Sequence, residues 1–148
     1  MIKQTLAVLV AGLAVASPLS PAAHAADGAV YIPASNVRWS DVPGNPGVQI
    51  APLQGDPGKG PSHFLLKFAG GFSAPLHHHT ANHYGTVIAG TLVLAADGKE
   101  HKLGTGSYFS FTGRKKHATR CEAGADCVLA MDARGRWDVQ PAGKAAKP

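Results

Sequence analysis

Glycine and proline interrupt this chain too often for long helices. Eighteen glycines and eleven prolines fall among its 148 residues, and either residue weakens or breaks a helix interior. Between them lie short runs rich in β-branched and aromatic residues: "AVYIPA", "VQIAPL", "HFLLKFA", "TVIAG", "TLVLAA", "SYFSF", "CVLAMDA" and "WDVQP". Turn signals such as "PGNPG", "GDPGKGP", "DGK" and "GTGS" separate them. Short strands at this spacing predict an all-β sandwich or barrel. In "SHFLLKF", strand alternation puts Phe64, Leu66 and Phe68 on one face and His63, Leu65 and Lys67 on the other. The "GNPG" and "GDPGKGP" loops and the tail after Pro141 are expected to be flexible.

The first residues read differently. Lys3 precedes an apolar run from Thr5 to Ala16, and "SPLSPAAHA" ends in Ala23-x-Ala25, a pattern that suits a signal peptidase. The expectation is a signal peptide over residues 1–25 and a periplasmic or secreted mature chain from Ala26. About 12 apolar residues fall short of the roughly 20 that span a bilayer, so no membrane anchor is expected after cleavage. Residues 26–61 are expected to supply N-terminal strands and loops packing on a barrel of residues 62–141, with 142–148 as a flexible tail.

The formal net charge of +5 is mild, and the basic residues are scattered. Only "GRKKH" and the terminal "GKAAKP" form small groups, with no stacking aromatics between them, which argues against nucleic-acid binding. Arg114, Lys115 and Lys116 read as a solvated loop. The two cysteines, Cys121 and Cys127, flank "EAGAD", which reads as a turn between two strands. An oxidising compartment favours a disulfide across a hairpin mouth; two buried free thiols are the alternative.

Four of the eight histidines fall within "HHHTANH", residues 77–83. If Leu76 to Thr80 is extended, alternation sends His77 and His79 to one side and His78 to the other. Two imidazoles one residue apart on the same side can share a metal ion. His83 can join them from the start of the next strand, and His117, opening "HATRC", is the candidate for a distant fourth ligand. Neutral imidazole suits Zn, Cu, Fe and Ni, and four imidazoles beside apolar strands are costly without a metal to satisfy their nitrogens. His78 reads as solvent-facing or in a subunit contact, His101 as part of an exposed hairpin, and His63 as outside the pocket. Tyr84 is a weak catalytic candidate beside His83, with core packing as its plainer role.

At these residues the chain resembles the cupin superfamily. The first cupin motif runs glycine, five residues, His-x-His, three or four residues, glutamate, six residues, glycine. Gly71, "FSAPL", His77-His78-His79, "TAN", His83, "YGTVIA" and Gly90 match every spacing, with His83 where most cupins carry glutamate. The second motif can be laid from Gly106 to Cys121, matching by type only at Gly106 and His117, while Thr112, Arg114 and Cys121 stand at its proline, second glycine and asparagine positions. The resemblance covers about Ser62 to Asp132 and is to small exported single-domain cupins with a four-histidine metal site. It implies a double-stranded β-helix, a jelly-roll barrel, with one divalent transition metal (Zn, Cu, Mn, Fe or Ni) held by His77, His79, His83 and His117. It also implies a small-molecule ligand and a homodimer.

Without a carboxylate ligand such an ion keeps its double charge, and four ligands in octahedral geometry leave two adjacent positions for substrate, or for substrate and dioxygen. The leading expectation is therefore a metal-dependent oxidoreductase resembling dioxygenases. A metal- or ligand-binding and sensing module, and a non-redox lyase or isomerase, are the alternatives.

Overall fold

In the computed structural model, residues 28–143 are described; the expected signal peptide and the end of the tail lie outside them. The compact unit begins at Ile32, and the few described residues before it form neither helix nor strand. Among the described residues the only helical turn is a 3-10 turn at Ala34–Asn36, and no helix is long and apolar enough to cross a membrane. The strand expected at "AVYIPA" is absent: Ala29–Pro33 is irregular and exposed, and it runs into the 3-10 turn. The sequence run is apolar but has no partner strand among the described residues.

Eleven strands follow among the described residues: β1 (Ser40–Asp41), β2 (Val48–Gly55), β3 (Ser62–Phe68), β4 (Ser73–His78), β5 (His83–Ala89), β6 (Leu92–Ala96), β7 (Lys99–Leu103), β8 (Tyr108–Phe111), β9 (His117–Cys121), β10 (Cys127–Ala133) and β11 (Gln140–Pro141). They form two antiparallel sheets, β1-β2-β3-β10-β5-β8 and β11-β4-β9-β6-β7. This is the jelly-roll architecture expected from the sequence. Alternation is clean where a strand has one face to bury: Phe64, Leu66 and Phe68 of β3 and Leu129, Met131 and Ala133 of β10 point inward. With Val87, Leu92 and Leu94 they form one core between the sheets. β2 is hydrogen-bonded along most of β3, so the N-terminal strands extend a barrel sheet instead of merely packing on it.

Cys121 and Cys127 are disulfide-bonded, with Cα atoms 5.8 Å apart. Their setting differs from the expected hairpin, because β9 and β10 lie in different sheets. The bridge therefore ties the two sheets together at one end of the sandwich. Gly90, the last glycine of the first motif, has φ +76°, and a Cβ there would run into the Asp126 carbonyl at the start of β10. That close approach is what the glycine permits.

The two loops expected to be flexible are tied down. Asp56 caps its own turn, accepting hydrogen bonds from Gly58 N, Lys59 N and Gly60 N. The neighbouring Pro57 carbonyl accepts from Trp137 N at 2.7 Å. In the other loop, Val42 N donates to Val48 O and Asn45 N to Val42 O.

Candidate metal centre

His77 and His117 sit directly opposite one another on β4 and β9. His83 opens β5 in the facing sheet, and His79 lies just beyond β4 in the connection to β5. All four are buried, with exposures of 2–7%. One nitrogen each from His77, His79 and His117 comes within 4.8 Å of the other two. His83 stands beside this trio: its ring centroid is 4.6 Å from that of His79 and 5.7 Å from that of His117.

A break in strand register places the first of these histidines. The β4–β9 pairing shifts between Ala74 and His77, so both residues line the same cavity despite their odd separation. Pro75 sits inside this bulge, where its missing N–H leaves no ladder bond unmade. Its carbonyl then accepts a hydrogen bond from His77 Nδ1 at 2.7 Å.

The other three rings are fixed in the same chemical sense. His83 Nδ1 donates to Ala81 O at 3.3 Å, His117 Nδ1 to Lys115 O at 3.0 Å, and His79 Nδ1 to the Asp138 carbonyl. A carbonyl can only accept, so each proton sits on Nδ1 and each Nε2 keeps its lone pair. Burial works in the same direction. It pushes His79 down to about 3 and His117 to about 4, and it also lowers His77 and His83, the neighbouring imidazoles adding to the effect. Four neutral rings with free Nε2 atoms are in the form that binds a divalent transition metal, and this donor set fits one.

Aromatic side chains wall the centre. Trp137 stacks on His79 with centroids 3.8 Å apart and planes at 17°, and Phe111 stacks on His117 at 4.2 Å and 6°. Gly85 makes room for a third aromatic: it pairs with Phe109 across β5 and β8, and a Cβ there would overlap the Phe109 ring. The four histidines open on a cavity of about 600 Å³ between the sheets. Val48, Ile50, Leu66, Phe68, Phe72 and Leu129 line it, and no lysine or arginine does so among the described residues.

The remaining sequence candidates fall elsewhere. Tyr84 does not reach the cavity: adjacent to His83, it takes the opposite face of β5, where the Arg134 guanidinium lies over its ring at 5.4 Å. His78 is half-buried, and its Nδ1 has no hydrogen-bond partner among the described residues. His63 is on the outer face, 3.8 Å from an Asp132 oxygen, and His101 is exposed on β7. Trp137 and Asp138 escaped the sequence reading, which took "WDVQP" as a plain strand. Only Gln140–Pro141 pairs as one, and the residues before it cross the mouth of the site. The one available signal was a large aromatic beside an acid in a chain poor in both.

The comparisons with known proteins bear on this jelly roll with buried imidazoles inside one mouth. Residues 64–132 match the family model described as Cupin domain (Cupin_2). Among solved structures the chain is similar to KdgF from a Halomonas species (20% identity, TM-score 0.61, covering 74% of this chain and 96% of that one). It is similar to the polyketide cyclase RemF from Streptomyces resistomycificus (19%, TM-score 0.65, 80% and 88%). It also resembles the DMSP lyase DddQ from Ruegeria pomeroyi (17%, TM-score 0.61, 76% and 64%). At these identities the likeness is one of fold. No curated protein matches the chain.

Proposed function

We propose that this protein is an exported, metal-dependent cupin oxidoreductase of dioxygenase type, acting on a small, largely apolar organic molecule. His77, His79 and His117 would hold the metal, with His83 as fourth ligand. The observation that carries the reading is the convergence of neutral imidazoles, each with Nδ1 committed to a carbonyl, on one apolar cavity. A bound redox metal would supply the electron transfer and the open positions where substrate and dioxygen meet.

The chain's own residues set the rest. The apolar lining excludes water from a substrate's hydrocarbon body. With no lysine or arginine in the lining, an oxygen-bearing head group finds its positive partner only at the centre. Proton-transfer groups are also scarce: apart from the histidines, the titratable lining residues are Asp41 and Asp56. Asp56 is exposed and engaged with Lys59 at 3.0 Å, and Asp41 accepts from Gln49 Nε2 at 2.9 Å. That scarcity favours chemistry centred on the metal over a lyase or isomerase that needs a protein base.

The same scarcity supports a second reading, capture of a metal or small ligand without turnover. Metal analysis of protein isolated from its native compartment, with oxygen uptake measured over catechols, β-diketones and thiols, separates the two. Uptake dependent on a redox metal supports the oxidoreductase. Bound zinc with no uptake on any of these refutes it and leaves the binding module. Export is supported by the disulfide and is tested by the mass of the mature chain, expected to begin at Ala26.

A further inference from the structure

Three of the four site histidines take their Nδ1 partner from two residues earlier in their own segment: Pro75 for His77, Ala81 for His83 and Lys115 for His117. Each of those rings is set locally, by the strand that carries it. His79 is the exception, because its partner is the carbonyl of Asp138, 59 residues away. The chain after β10 is laid across the site to make that contact. Arg134 N donates to Asn82 O at 2.9 Å, Trp137 N to Pro57 O at 2.7 Å and Ala142 N to Leu76 O at 3.0 Å, while β11 pairs with His77 and His78 on β4.

Asp138 grips the His79 segment twice. Its carboxylate accepts from Thr80 N at 2.8 Å and Thr80 Oγ at 2.7 Å, and Gln140 Nε2 donates to the same group at 3.1 Å. The carboxylate thus holds the backbone one residue beyond His79, while the main-chain carbonyl holds the ring. Trp137, the preceding residue, covers the face of that ring.

We propose that Asp138 is a positioning residue for His79, and that the strap Arg134–Ala142 is a working part of the metal centre instead of a mere closure of the barrel. This rests on reading His79 as a ligand. Without the strap, His79 alone of the four would lose both its ring partner and its backbone anchor, and the site would retain the three locally set imidazoles.

The test is metal affinity, measured on the full mature chain by Co(II) and Zn(II) titration against a competing chelator. Asp138→Ala keeps the main-chain carbonyl that holds the ring and removes only the carboxylate's grip on Thr80, so it is expected to weaken binding up to about 10-fold, the lower end of the range for loss of a ligand's hydrogen-bond partner. Asp138→Asn, which keeps one acceptor for Thr80 N, is expected to recover part of the loss. In a His79→Ala background, adding Asp138→Ala should change affinity no further. Trp137 supplies a second readout, because the chain has only two tryptophans, Trp39 and Trp137. In a Trp39→Phe protein, Cu(II) should quench the remaining emission, and Asp138→Ala should move the quenching midpoint by the same factor as the chelator assay. If Asp138→Ala lowers the melting temperature while leaving metal affinity intact, or weakens binding equally in the His79→Ala background, the positioning role is refuted. If the unsubstituted protein binds neither metal, the reading of the centre fails instead.

Discussion

Acid should unfold the metal-free protein through its histidines, and the structure sets the size of the effect. An imidazole in the unfolded chain titrates near 6.5, whereas burial holds His79 at about 3 and His117 at about 4. Between those limits the unfolded state binds more protons than the native state, so stability falls as pH falls. The contribution is complete above pH 6.5 and is lost on acidification down to the folded values. One pH unit of mismatch corresponds to about 1.4 kcal/mol per group, so by pH 4 each of the two has cost about 3 kcal/mol. Their sum, about 6 kcal/mol, is comparable to the whole stability of many domains, and His77 and His83 act in the same direction. For a domain of this length the melting temperature should drop by about 20 °C between pH 7 and pH 4. Calorimetry of chelator-treated protein across that range is the assay. A second arm replaces His117 with Gln, which keeps a polar amide and removes the titration, and should flatten the profile. Bound metal competes with protons for Nε2, so the loaded protein should hold its melting temperature to lower pH. A melting temperature unchanged from pH 6.5 to 4.5 in the metal-free protein would show that these rings are not buried as neutral bases.

Saturating metal at 100 times Kd should stabilise the protein by about 3 kcal/mol; His83→Ala should reduce both affinity and that thermal gain, and unchanged values would remove His83 from the ligand set. Gly85→Ala would drive a methyl group into the Phe109 ring and should cost about 1–3 kcal/mol, read as a lower denaturant midpoint; a neutral result would mean that Phe109 can swing away freely. Reducing the Cys121–Cys127 bridge should cost about 2 kcal/mol on loop-closure grounds, measured by melting with and without reductant. Free thiols on the untreated native protein would contradict the bridge itself.

Much of the fold was written locally. Turn residues and period-two runs are short-range properties, and they predicted most of the strands and the inward face of β3 before any packing was known. Where an apolar run needed a partner strand to become β, local reading failed, as at "AVYIPA". It failed again at "GDPGKGP", where composition suggests freedom but hydrogen bonds accepted by Asp56 and donated by Trp137 N remove it. The cysteine pair shows the boundary well. Spacing suggested a short bridged turn, yet only the sheet order reveals that the turn crosses from one sheet to the other.

The site divides along the same line. Alternation over "HHHTANH" separates His77 and His79 from His78, and the spacing to His83 and the strand start at His117 are likewise short-range features that sequence alone displays. Tertiary structure decided the rest. Whether His77 faces inward depends on a bulge in the β4–β9 pairing, and a bulge is a property of two strands in register. Whether Tyr84 reaches the cavity depends on which sheet face closes over the core. The Asp138–His79 contact spans 59 residues, beyond any periodicity a strand or turn imposes. Sequence determined which side chains could become ligands; folding decided which nitrogen of each is free, and what holds it still.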